Sequence, residues 1–153
     1  KTTNHLIELA GQISKNPNKR ELDMLLTTGE QVSIAMLAMA LLEEGHKAIS
    51  MNALQIGIIT ENVHSKARIL DVKTDKLKQK LDEGNIVVVA GFQGVTPDGE
   101  ITTLGRGGSD TSAVAIAAAF LDSKSYTYTF MLCVPRSIPA TVFMFPPNKL
   151  RIC

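Results

Sequence analysis

Between Thr102 and Asp110 the chain reads Thr-Thr-Leu-Gly-Arg-Gly-Gly-Ser-Asp and then runs into the apolar stretch Ala113–Leu121. A glycine-rich turn feeding a helix presents unpaired backbone N–H groups and the positive end of the helix dipole to an anion. Arg106 adds a planar fork of donors suited to carboxylate or phosphate. Asp110 stands where it could orient a partner or cap the helix. The chemistry these residues serve is the holding of a phosphate or carboxylate. No Gly-Lys-Ser/Thr follows the glycines, so this is not a Walker A loop. The plain alternative is a connecting turn without a ligand.

Two further groups carry two readings each. Thr27-Thr28-Gly29-Glu30 has the T-x-x-E spacing of a capping box, which predicts a helix start needing no ligand. The functional alternative turns Glu30 into a cleft to meet an ammonium group. Ala90-Gly91-Phe92-Gln93-Gly94 either opens a strand end onto a ligand or permits a turn. His5, His46 and His64 fall on separate segments and predict no metal set, only solvated or structural roles. Met24, Met36 and Met39 read as core fillers.

The elements that must position these residues follow from periodicity. Thr3–Ser14 has apolar residues at helical spacing, and Asn16-Pro17-Asn18 breaks it. A second helix is expected over Gly29–Glu44, apolar nearly all round and therefore buried between layers, with Gly45 ending it. His46–Met51, Ile56–Thr60 and Ala67–Val72 are extended candidates. Asp75–Glu83 reads as a charged surface helix closed by Gly84. Ile86–Ala90 is a continuous β-branched run, the pattern of a parallel strand covered on both faces. Thr96-Pro97-Asp98-Gly99 predicts a turn between two short extended pieces. The order implies an α/β fold, a three-layer αβα sandwich. Asp122–Cys153 gathers Pro135, Pro139, Pro146 and Pro147 and follows neither strand nor helix period, so no regular structure is expected there.

The totals are consistent with one domain: 153 residues and a formal net charge of +1. That charge gives no argument for nucleic acid or membrane partners. Cys133 and Cys153 form no CxxC pair, which argues against an oxidised secreted framework. The apolar run Ile34–Leu42 is too short to span a bilayer. A soluble cytoplasmic domain is expected. The first residue is Lys1 rather than Met, so the parent protein is expected to begin further upstream.

Leu25–Glu30, then Val89–Val95, then Thr102–Asp110 continuing through Ala115 resemble, in order, the aspartokinases (aspartate kinases) of the amino acid kinase superfamily. The likeness runs from about Thr2 to Phe120 and is most specific between Val87 and Ala119. It implies the carbamate kinase-like form of the αβα sandwich, here incomplete. It also implies transfer of the ATP γ-phosphoryl group to the β-carboxylate of L-aspartate, giving 4-phospho-L-aspartate, with Mg²⁺ as the metal and no protein metal site. That reaction opens lysine, threonine and methionine synthesis. By resemblance, Arg106 grips an aspartate carboxylate and Glu30 meets the α-ammonium. Gly107, Gly108 and Ser109 line the junction of aspartate and phosphate, Ser109 also facing ATP. Asp110 orients the catalytic lysine, and Thr2 and Thr3 lie near the substrate. A homo-oligomer is implied for the full-length parent.

The departures from the family are specific. Its opening strand with a K-[FY]-G-G-[ST]-S motif has no counterpart from Lys1 onward, and Met51–Gln55 stands where T-G-x-Q is usual. The nucleotide-holding strand expected after Phe120 is replaced by Asp122–Cys153, and the regulatory ACT domains of the family are not present in this sequence. Residues 1–121 are thus expected to be a partial catalytic domain and 122–153 an atypical tail. A frameshift is one account of the tail: codons exist for Arg136–Thr141 and Ser125–Thr129 that give pieces of that strand when read two bases on. The alternative function is a non-catalytic fragment with residual aspartate binding at most.

Overall fold

A computed structural model describes residues 2–105, 107–121, 129–133 and 141–145. Helix α1 spans Thr2–Ile13 and helix α2 spans Lys19–Glu43, 25 residues. The start of α2 corrects the sequence expectation. Its N-cap is Asn18, whose side-chain oxygen accepts the amides of Arg20 at 2.9 Å and Glu21 at 3.4 Å. Thr27 and Thr28 are interior, their hydroxyls donating back to the carbonyls of Met24 and Leu25. No capping box forms at Thr27–Glu30, because the helix is already two turns old there. Its end is as expected: Gly45, at φ 81°, donates to Leu42 O and His46 donates to Leu41 O. This pair of bonds is a Schellman ending, which uses a left-handed glycine.

Strand β1 (Ala48–Met51) leads to a one-turn helix, α3 (Ala53–Ile56). Strands β2 (Ile58–Thr60) and β3 (Ile69–Val72) follow, then helix α4 (Asp75–Asp82) and strand β4 (Ile86–Ala90). Strands β5 (Gln93–Val95) and β6 (Ile101–Thr103) form the hairpin around the predicted turn. Helix α5 (Gly108–Leu121) comes next, followed by strands β7 (Thr129–Cys133) and β8 (Thr141–Phe145).

The main sheet has the order β1-β4-β8-β7. β1 and β4 pair in parallel, with Ala48 opposite Ile86 and Met51 opposite Val89. All five residues of β4 are buried, as a strand covered on both faces requires. Alternation along β4 divides the core. Val87 and Val89 pack with Leu77 and Leu81 of α4 and with Ile116 and Phe120 of α5. Ile86, Val88 and Ala90 pack with Ile34 and Ala38 of α2 on the other face. These are the three layers of an αβα sandwich, with both sheets partial. A second sheet, β3-β2-β5-β6, sits beside it.

Three other expectations are corrected. Helix α2 is not buried all round: Val32, Met36, Met39 and Leu42 are exposed, because the sheet lies along only one side of it. Met24, Met36 and Met39 are therefore not core residues; Met36 is 62 % exposed. The tail, expected to lack regular structure, supplies β7 and β8, and β8 pairs antiparallel with β4, Val87 opposite Met144. Met144 is fully buried in the core beside Val87. The apolar run Val142–Met144 thus finds a partner that its own periodicity does not announce. Helix α2 is long and apolar enough to cross a bilayer by length and composition alone. Its buried face, however, carries Asp23 and Glu30 and packs on strands, the arrangement of a core helix.

Candidate functional site

Four elements converge at the carboxyl end of β4. They are α1, the first half of α2, the 61–67 loop, and the glycine turn with the first residues of α5. They enclose a cavity of about 620 Å³ lined among others by Thr3, Glu30, Ser65, Phe92, Ser109 and Asp110. Ligands in α/β sheets gather at this end of the strands.

Local geometry explains how the chain builds the walls. Gly105 and Gly107 both sit in the left-handed region, at φ 80° and 74°, so the turn needs residues without a Cβ there. Gly91 and Gly108 serve close packing instead. A Cβ on Gly91 would stand 3.0 Å from the Ser109 Cα, and one on Gly108 would stand 2.9 Å from the Leu104 Cβ. Gly91 is not among the cavity-lining residues; its missing side chain lets α5 approach the strand end. Gly94 is closed in by Thr60 and Thr102. Ser112 bonds this junction, its hydroxyl donating to Gly108 O at 2.8 Å and accepting the Phe92 amide at 3.0 Å.

The sequence-predicted residues fall as follows. Glu30, Thr3, Gly107, Gly108, Ser109 and Asp110 all line the one cavity. Arg106 lies outside the described residues, although its neighbours Gly105 and Gly107 line the same space. Thr2 opens α1, and its side chain is likewise outside what is described. Asn52 and Gln55, from the stretch that departs from the family, form a capping box at the start of α3 and are not among the cavity residues. No three His, Cys, Asp or Glu side chains among the described residues come together as a metal site.

Glu30 dominates the electrostatics. It is 5 % exposed, and its Oε2 is buried with no hydrogen-bond partner among the described residues. Burial pushes its pKa up from 4.5 to about 7, because desolvation disfavours the charged form. A buried carboxyl without a partner facing an open cavity is poised for a cationic group, which would restore what water no longer provides. Gln93 steadies this part of α2, its side-chain amide donating to Thr27 O at 3.0 Å.

Several residues here escape a reading of the sequence. Asp23 is fully buried, and its Oδ2 accepts the Ser65 amide at 2.9 Å and the Thr103 amide at 3.2 Å. Its Oδ1 accepts the Thr103 hydroxyl at 2.6 Å, and His64 Nδ1 lies 3.1 Å from Oδ2. This one carboxylate joins α2, β6 and the 61–67 loop. A signal did exist: Asp23 and Glu30 are two helical turns apart, hence on one face, once the helix is known to start at Lys19. Ser65 and Phe92 are the non-glycine residues with positive φ among those described, at 71° and 67°, and both line the cavity. Strained backbone of this kind collects at functional sites.

The chain and its αβα frame are similar to known proteins. The Amino acid kinase family model matches residues 1–126. Aspartokinase from Geobacillus stearothermophilus is 62 % identical over 129 residues, covering 84 % of this chain and 32 % of the relative. Aspartokinase 2 from Bacillus subtilis is 57 % identical with the same coverage. The chain thus spans about a third of the length of the curated relatives it matches. Among solved structures, aspartate kinase from Synechocystis superposes with TM-score 0.63 at 55 % identity, over 79 % of this chain and 19 % of that one. E. coli aspartokinase III, in complex with aspartate and ADP, superposes with TM-score 0.65 at 27 % identity, over 77 % of this chain and 27 % of that one. With the match covering most of the sequence and the fold agreeing, the chain belongs to the amino acid kinase family.

Proposed function

We propose that this chain is the aspartate-recognising part of an aspartokinase, whose whole reaction moves the ATP γ-phosphoryl group onto the β-carboxylate of L-aspartate. The observation that carries it is the shared cavity: a buried, unpartnered Glu30 carboxyl faces the same space as the glycine turn and the first turn of α5. An amino acid with two carboxylates and one ammonium needs one acceptor and several donors. Glu30 is the acceptor for the ammonium. Arg106, from its place in the turn, grips a carboxylate, and Thr3 adds a hydroxyl near it. Thr2, adjacent in the chain, has the same assignment.

Gly107, Gly108 and Ser109 line the junction where the acceptor carboxylate would meet a phosphate; the Gly108 amide is spent on Gly105 O at 3.1 Å, which leaves the backbone N–H groups of Gly107 and Ser109 as the donors offered there. In a loose phosphoryl-transfer transition state such positioned donors matter more than covalent help. ATP, when bound, supplies the transferred group, and Mg²⁺ neutralises charge on its phosphates. The described residues fit the amino acid and the near edge of a phosphate, through Ser109 and the α5 turn. A Mg²⁺ bound with ATP would be held largely by phosphate oxygens and water. Asp110, exposed at the cavity mouth, is assigned to orienting the lysine that the family places there. Residues 1–121 are assigned to a partial catalytic domain and 122–153 to an atypical tail, whose β8 nonetheless pairs with β4. The setting is cytoplasmic amino-acid biosynthesis.

Calorimetric titration of the chain with L-aspartate tests the reading. Binding is expected in the parent and lost in Arg106→Ala and Glu30→Gln. Parent-like affinity in both variants overturns it. A coupled ADP-release assay with Mg-ATP is expected to show little turnover, because the K-x-G-G lysine is not in this sequence. Robust turnover would refute that expectation.

A further inference from the structure

We propose that the Ser65 hydroxyl is a ligand contact, donating to an oxygen of the acidic amino acid held by Glu30; this rests on the aspartate reading above. Two side-chain oxygens among the described residues are buried with no hydrogen-bond partner, Glu30 Oε2 and Ser65 Oγ. Both belong to residues lining the same cavity. Burying a hydroxyl without a partner is unfavourable, and a ligand oxygen arriving in the cavity would complete its bonding. Glu30 can only accept once ionised, so a ligand carboxylate must find its donors elsewhere on the wall. Ser65 offers one.

The backbone supports the assignment. Ser65 sits at φ 71°, where glycine is the residue without strain. It is held there by its own amide, bonded to the fully buried Asp23, which also grips Thr103. Its carbonyl abuts the glycine turn: a Cβ on Gly105 would stand 3.3 Å from Ser65 O. A glycine at position 65 would satisfy every one of these backbone demands more easily. What serine adds is the hydroxyl, and the hydroxyl has no partner among the described residues.

The test is calorimetric titration of the full chain with L-aspartate, comparing the parent, Ser65→Ala and Ser65→Gly, with thermal melts of each. Both variants are expected to weaken aspartate binding about fivefold to tenfold, the loss of one hydrogen bond. Ser65→Gly is expected to melt higher than the parent, since it relieves the left-handed strain. A higher melting point combined with weaker binding separates a ligand contact from a structural role. Parent-like affinity in Ser65→Gly, with binding abolished in Glu30→Gln, overturns this inference alone. No aspartate binding by the parent chain overturns both this inference and the reading it rests on.

Discussion

Asp23 on α2 and Thr103 on β6 are joined twice, hydroxyl to Oδ1 at 2.6 Å and amide to Oδ2 at 3.2 Å. The two residues are 80 positions apart in the chain, and both are buried. A carboxylate out of water is tolerated only when its lone pairs are used, and here two of its partners, Ser65 and Thr103, line the cavity wall. The bond is therefore a truss between the helix bearing Glu30 and the strand that enters the glycine turn.

Asp23→Ala should cost about 3 kcal/mol, because the Ser65 and Thr103 donors are left buried without an acceptor. Urea unfolding checks it, read as a fall in midpoint at unchanged slope. A loss below about 0.5 kcal/mol would mean that water replaces the carboxylate freely.

Glu30 makes stability depend on pH. Its folded pKa of about 7 lies above the ordinary 4.5, so the folded state holds a proton that the unfolded state releases between those values. Stability from this group is full below about pH 4.5 and falls as pH rises to 7. Glu30→Gln should remove that slope and stabilise the chain at pH 8 by about 1–3 kcal/mol. Ligand binding should run the other way, weakening as pH falls below 7 because the carboxyl must ionise to meet an ammonium. Equal pH slopes for parent and variant between pH 5 and 8 would refute the assignment.

Gly91→Ala should destabilise the fold by about 1–3 kcal/mol, since the added methyl meets the Ser109 backbone, which cannot swing away as a side chain could. The same variant should weaken aspartate binding by displacing the start of α5. Unchanged melting and binding would show that α5 has slack that its contacts do not suggest.

Asn18→Ala should cost about 1 kcal/mol as the loss of a helix cap. Met36→Lys should stay within about 0.5 kcal/mol of the parent, the side chain being exposed. The opposite ranking in a denaturation series would restore the sequence expectation of a later helix start and a methionine core.

Local signals were enough for much of this fold. Ile86–Ala90 announced a strand covered on both faces, and Gly45 and Gly84 announced helix ends by the left-handed conformation both adopt. What failed depended on neighbours. T-x-x-E at Thr27–Glu30 matches a cap in composition, but Asn18 had already started the helix, and only continuous helical residues between them distinguish the cases. The apolar face of Val32, Met36 and Met39 looked like core because periodicity reports hydrophobicity, not which side a sheet occupies. The pairing of β8 with β4 is a long-range choice that no local pattern in Thr141–Phe145 encodes. Within the site, Glu30 was legible from the resemblance, while Asp23 and Ser65 emerge only when helix, strand and loop are brought together.

The close fit of Gly91 against Ser109 and of Gly108 against Phe92 and Leu104 makes the end of β4 and the beginning of α5 a single stiff wall. Any breathing of the chamber is then lopsided. Adjustment to a ligand would then fall to the opposing α1 surface, where Thr3, Asn4 and Ile7 line the chamber.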